Sequence, residues 1–197
     1  MRESGILMHI TSLPAPYGIG TMGKDAYAFV DFLVRAGQRY WQILPLTPTG
    51  YGDSPYQSLG ACAGNHYLID LDRLADEGLL KKEEIQNIPW GSNPARVDFG
   101  AMYAHRMNVL RQAFQRFTPD GAYETFVEQN RSWLEDYALF TALKDTLGGK
   151  PWLDWPEALR LRKADALTEK RRELSDEIRL QYFVQYEFDR QWKALRS

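Results

Sequence analysis

Residues 24–46 read KDAYAFVDFLVRAGQRYWQILPL, and this stretch decides the fold. Ala26, Phe29, Val30, Leu33 and Ala36 recur at helical spacing, so Lys24 to Ala36 is predicted to be an amphipathic helix. Asp25 near its start suits the helix dipole, and Gly37 supplies a C-terminal stop. Tyr40 to Leu46 is β-prone and ends at Pro45 and Pro48. Upstream, Ile6 to Thr11 is a second short β-prone run, followed by a loop that Pro14, Pro16, Gly18 and Gly20 enforce. Two strands joined by a helix-length crossover should pair in parallel, with a right-handed connection.

Downstream, residues 47–65 (TPTGYGDSPYQSLGACAGN) are turn-rich and long, as functional loops in compact domains usually are. Tyr67 to Leu71 reads as a short strand leading into a helix from about Asp72 to Glu77. The rest is predicted mostly helical. Phe99, Tyr103, Met107, Leu110, Phe114 and Phe117 form one stripe, and a longer helix runs from about Tyr123 to Leu147, stopped by Gly148, Gly149 and Pro151. Trp152, Trp155 and Pro156 form an apolar knot, and a last helix spans about Thr168 to Leu195.

Composition narrows the functions. The 197 residues are 44% hydrophobic, with a net charge of -2 and no basic stripe, which excludes a disordered chain and argues against nucleic acid as a partner. No apolar run is long enough for a membrane span, and the N-terminal MRESGILMHITSLP lacks signal-peptide character, so a cytoplasmic protein is expected, or one whose targeting segment was removed. His9, His66 and His105 are scattered without metal-ligand spacing, and Cys62 reads as a small buried thiol; no metal or cofactor is expected. Gly18 and Gly20 do not make a nucleotide fingerprint, because the third glycine is missing.

Three stretches carry a resemblance: His9 to Gly20 (HITSLPAPYGIG), Arg39 to Ser58 (RYWQILPLTPTGYGDSPYQS) and Gly64 to Leu71 (GNHYLIDL). They resemble amylomaltases, the 4-α-glucanotransferases of the α-amylase clan, and the likeness continues more weakly to QYEFDRQWKAL near the C-terminus. His66 departs from the family pattern, which usually has proline there. The YGDSPYQS run argues against another clan member such as a hydrolase or branching enzyme.

The resemblance implies an α/β chain that is the N-terminal part of a (β/α)8 TIM barrel with a largely helical insertion. Residues 1–48 would be the first βαβ of the barrel, 49–165 the active-site loop and insertion, and 166–197 a long helix leading toward a third strand. It also implies transfer of α-1,4-glucan segments between maltooligosaccharides by a retaining double displacement. That chemistry needs two carboxyl groups about 5–5.5 Å apart. No residue here matches the family's pair, so the catalytic carboxylates are expected outside these 197 residues and the chain alone is expected to be inactive. By resemblance, Tyr56 stacks on a sugar and Ser54 bonds a hydroxyl, while Tyr51 and Tyr103 belong to a second glucan site.

Residue chemistry leaves alternatives open. Tyr103 lies on the apolar stripe of its own helix and could be core. Asp53 reads first as an Asx-type turn before Ser54-Pro55. Asp70 with Asp72, and Glu135 with Asp136, read as capping or solvated acids. Trp152 and Trp155 read as packing residues, and His9 and Tyr17 as loop packing near the cleft. A different class of function, a non-catalytic glucan-binding protein, would rest on Tyr51, Tyr56 and Tyr103 alone. Unpaired strand edges and an uncovered helix face would invite self-association.

Overall fold

A computed structural model describes residues 2–50 and 52–197. The chain divides into two compact units, residues 1–118 with 187–197, and residues 119–186. In the first unit, β1 (Gly5–Leu7) and β2 (Tyr40–Gln42) pair in parallel, with Gly5 opposite Tyr40 and Leu7 opposite Gln42. The connection between them is α1 (Lys24–Arg35), whose Asp25 and Arg35 sit at the ends the dipole favours. Phe29 of α1 meets Trp41 of β2 edge to face, with ring centroids 5.0 Å apart. Gly37 closes the turn after α1 with φ 68°, a left-handed conformation that glycine adopts without strain.

Both strands are shorter than the sequence suggests. After Met8 donates to the Gln42 carbonyl at 3.0 Å, residues Ile10–Ser12 curl into a 3-10 turn that buries Ile10 completely. The His9 ring then takes over the pairing, its Nδ1 accepting from Leu44 N at 3.3 Å. Gly20 must pass close to this turn: a Cβ there would lie 1.9 Å from the Ile10 carbonyl oxygen.

Residues 66–71 are also not a strand. Asn65 accepts from Tyr67 N at 2.9 Å and starts a 3-10 turn, and Asp70 accepts from Arg73 N at 3.0 Å to cap α2 (Leu71–Asp76). Short-range polar caps outcompete the β propensity of Tyr, Leu and Ile here. Next come α3 (Lys82–Gln86) and α4 (Phe99–Arg116), the latter capped by Asp98. Ile10, Met22, Leu68, Ile69, Leu71, Leu74, Met102 and Leu110 are fully buried in this unit.

The second unit contains α5 (Gly121–Thr146), α6 (Glu157–Arg160), α7 (Ala164–Glu173) and the first half of α8 (Ser175–Arg196). One core cluster of this unit is Leu139, Leu143, Trp155, Leu159 and Leu167. Trp155 is buried in that core, with its Nε1 donating to the Lys150 carbonyl, whereas Trp152 and Pro156 are exposed, so of the expected knot only Trp155 is packed. The expected helix over 168–195 is two helices. Leu174 leaves helical geometry (φ -102°, ψ 22°), and Ser175-Asp176-Glu177 opens α8 with the residue types that favour a helix N-terminus.

Candidate functional site

The loop after β2 folds back on itself. Thr49 and Ser58 form an antiparallel bridge, and Gly50 N donates to the Gln57 carbonyl at 3.1 Å. Within that neck, Asp53 N donates to the Gly50 carbonyl and Gln57 N to the Ser54 carbonyl, both at 3.1 Å. Asn65 N ties the far end of the loop to the Leu46 carbonyl at 2.7 Å, next to the end of β2. Ser54 Oγ accepts from Tyr56 N at 3.3 Å, so this side-chain turn is built by Ser54. Asp53 instead takes a left-handed backbone (φ 55°), a conformation that aspartate tolerates better than most residues.

This construction projects Tyr56 outward, 73% exposed, with Ser54 partly accessible two residues earlier. Tyr51 lies outside the described residues. Tyr103 is 84% exposed on α4. The buried stripe of that helix is Met102, Arg106, Val109, Leu110 and Ala113, rotated one position from the stripe that the large apolar residues suggest. The rotation carries Tyr103 to the surface and removes the core alternative.

Tyr67 senses both the loop and α4. It is buried, and its phenol is pushed up to about 12, first by burial and then by the charges of Asp53 and Tyr103; Arg106 opposes them. The loop and α4 thus present Asp53 and Tyr103 to one phenol. Arg106, with no exposed surface, donates through Nη2 to the Tyr67 carbonyl at 3.0 Å and to the Ile69 carbonyl. Its guanidinium faces the Trp90 ring at 5.9 Å, and burial lowers it to about 10 despite the support of Asp70. His66 is held neutral, pulled to about 3 by burial and by Arg106. Tyr67 and Arg106 were not among the sequence candidates. The available signal was the single charge on a buried helical face.

The remaining candidates are structural. Tyr17 donates to Asp72 Oδ1 at 2.7 Å. Asp70 accepts from Thr21 Oγ1 at 2.6 Å and presses so close to Gly23 that a Cβ there would meet its Oδ2 at 2.0 Å. Asp136 bonds Arg162, and Glu135 faces Arg131 at 3.9 Å. Cys62, expected to be buried, is exposed, because it sits in the loop between the Ser58 bridge and Asn65 where Leu59 and Ala61 are also exposed. Among the described residues, no group of His, Cys, Asp or Glu could hold a metal ion, and no helix is long and apolar enough to cross a membrane.

A parallel β-α-β start thus leads into a tied loop that exposes Tyr56, and α4 exposes Tyr103. The family profile described as 4-alpha-glucanotransferase matches residues 8–197, and the chain belongs to that family. It is 47% identical over 200 residues to a 4-alpha-glucanotransferase of Streptococcus pneumoniae, covering all of this chain and 40% of that protein. It is 49% identical to a 4-alpha-glucanotransferase of Thermus thermophilus, covering all of this chain and 39% of that relative. The chain therefore spans about 40% of the length of the curated relatives it matches. In structure it matches the amylomaltase of Streptococcus agalactiae, solved in complex with acarbose, with a TM-score of 0.95 and 45% identity. The match covers 99% of this chain and 40% of that one.

Proposed function

We propose that these residues form the sugar-recognising portion of a 4-α-glucanotransferase that moves α-1,4-glucan segments between maltooligosaccharides. The observation that carries this reading is the exposed Tyr56 ring on a loop tied at both ends, with Ser54 beside it. A sugar ring presents an apolar C–H face and a rim of hydroxyls, and tyrosine with serine answers both. Tyr51 and Tyr103 would hold a distal part of the same glucan chain and raise its local concentration at the centre.

The transfer itself requires one carboxylate to attack the anomeric carbon and a second group to protonate the leaving oxygen, then to deprotonate the acceptor hydroxyl. The acids Asp70, Asp72 and Asp136 are committed to caps, a tyrosine and arginines. No residue here matches the family's carboxylate pair, so our reading puts it outside these 197 residues, in a (β/α)8 barrel whose first two strands would be β1 and β2. In that assignment residues 1–48 are the opening βαβ, 49–165 the active-site loop and insertion, and 166–197 the helical lead-in to the next strand. The protein would act in the cytoplasm on soluble glucans, and the 197-residue chain alone would self-associate through its open strand edges and the exposed Phe32 and Val34 of α1.

The test is disproportionation of maltotriose by a protein carrying these residues together with the further length its relatives possess. Glucose plus longer oligosaccharides is the expected product set, and Tyr56→Ala should lower kcat/KM. Release of free glucose with no longer products would overturn transfer in favour of hydrolysis. Binding of glucan without turnover would favour a non-catalytic binding protein.

A further inference from the structure

The helical unit of residues 119–186 contains a cleft of about 280 Å³ lined by Glu135, Arg171, Ser175, Ile178, Arg179 and Tyr182. It forms where α7 gives way to α8. Ser175, Ile178, Arg179 and Tyr182 come from the first two turns of α8, each three or four residues from another of the set, while Arg171 comes from the end of α7 and Glu135 from α5. Ile178 rests against the core of this unit and gives the cleft an apolar floor.

We propose that this cleft is a surface binding site for a single glucose unit of an α-glucan, with the half-buried Tyr182 ring as the platform and Glu135, Arg171 and Ser175 as the hydroxyl partners. The inference rests on the reading that the protein handles α-glucan. The volume lies just below the roughly 300–1,000 Å³ of enclosed small-molecule sites, which suits one sugar ring better than a long segment. The charge pattern argues for a neutral polyol over an anion. Arg179 already bonds Asp176 at 2.5 Å, Arg171 faces Asp136 at 3.6 Å, and a carboxylate, Glu135, lines the cleft itself. The first turn of α8 likewise carries Asp176 and Glu177, which offset the positive end of the helix dipole. The carboxylate and the fixed guanidinium offer an acceptor and a fork of donors around an aromatic face, the combination that vicinal hydroxyls need.

Backbone amide resonances of the ¹⁵N-labelled 197-residue chain, titrated with maltoheptaose, test the site directly. Residues 171–182 should shift. Tyr182→Ala should weaken that response about fivefold to tenfold, Tyr182→Phe should keep most of it, and the response of residues 49–58 should be unchanged. Should Tyr182→Ala lose helicity, Glu135→Gln decides, with a several-fold weaker response expected. Shifts confined to residues 49–58 would overturn the cleft and leave the glucan reading intact. No shift in either place would overturn both. Shifts of residues 171–182 with inorganic phosphate and none with maltoheptaose would make the cleft an anion site and end the proposal.

Discussion

Gln191 holds the backbone of Asp70 from both sides: its Oε1 accepts from Asp70 N at 2.7 Å, and its Nε2 donates to the Asp70 carbonyl at 3.3 Å. The two residues are 121 positions apart, and Gln191 is fully buried. This one amide fastens α8 to the segment that caps α2, receives Thr21 and carries Tyr67. Gln191→Ala should leave a buried N–H and a buried C=O without partners. A loss of about 2–4 kcal/mol is expected, read as a lower urea midpoint. Gln191→Glu should also destabilise, because it replaces the donor with an acceptor against a carbonyl. A midpoint unchanged in Gln191→Ala would show that the grip contributes nothing.

The parallel β-α-β start was legible because its signals are local. Apolar residues at helical spacing, a glycine at the helix end and prolines after the strand each act within a few residues. The strand lengths were not legible. They depend on Ile10 turning into the core and on the His9 ring bonding Leu44 N, contacts that propensity does not encode. The phase of α4 failed for a related reason. Phe99, Tyr103 and Phe114 look like a core stripe, yet the helix buries Met102, Arg106, Leu110 and Ala113. A buried arginine can be read from sequence only once the Tyr67 and Ile69 carbonyls that receive it are known. The exposed loop tyrosine, by contrast, was legible through the resemblance of residues 39–58.

His66 gives the fold an acid-sensitive element. Its pKa falls from 6.5 to about 3, first through burial and then through the nearby Arg106 charge. The unfolded chain therefore binds a proton between these values that the folded chain refuses. By linkage, stability is complete above about pH 6.5 and falls as the pH drops through that window, by up to about 1.4 kcal/mol per pH unit. His66→Asn should flatten this slope, as measured by urea denaturation at pH 7, 6 and 5. Equal slopes in the two proteins would remove His66 as the cause.

Glu84 acts at lower pH, and its pKa is lowered by bonds to the charged form instead of by burial. Two bonds from Arg116, at 2.6 and 2.7 Å, and one from Lys81 N at 2.9 Å hold its carboxyl at about 2, below the ordinary 4.5. The stabilisation is present above about pH 4.5 and is lost as the pH falls toward 2. Glu84→Gln should remove that part of the acid transition while leaving the pH 5 to 7 slope of His66 in place. The pair is close to the surface, so added salt should shrink the difference between the two proteins. An identical acid limb in Glu84→Gln would contradict the assignment.

Tyr103 separates binding from folding more cleanly than any other candidate. At 84% exposure its ring packs against little, so Tyr103→Ala should change stability by no more than about 0.5 kcal/mol. The same substitution removes a ring close enough to the Tyr67 phenol to influence its ionisation, as Asp53 of the loop also does. If the exposed surface of α4 at Tyr103 holds a glucan chain, Tyr103→Ala should weaken retention by amylose or glycogen in affinity electrophoresis about fivefold. Tyr103→Phe should keep most of the retention if stacking dominates, and should match the alanine variant if the phenol hydroxyl is the contact. Wild-type retention in both variants, with Tyr56→Ala still defective, would confine glucan recognition to the loop and remove α4 from the binding surface.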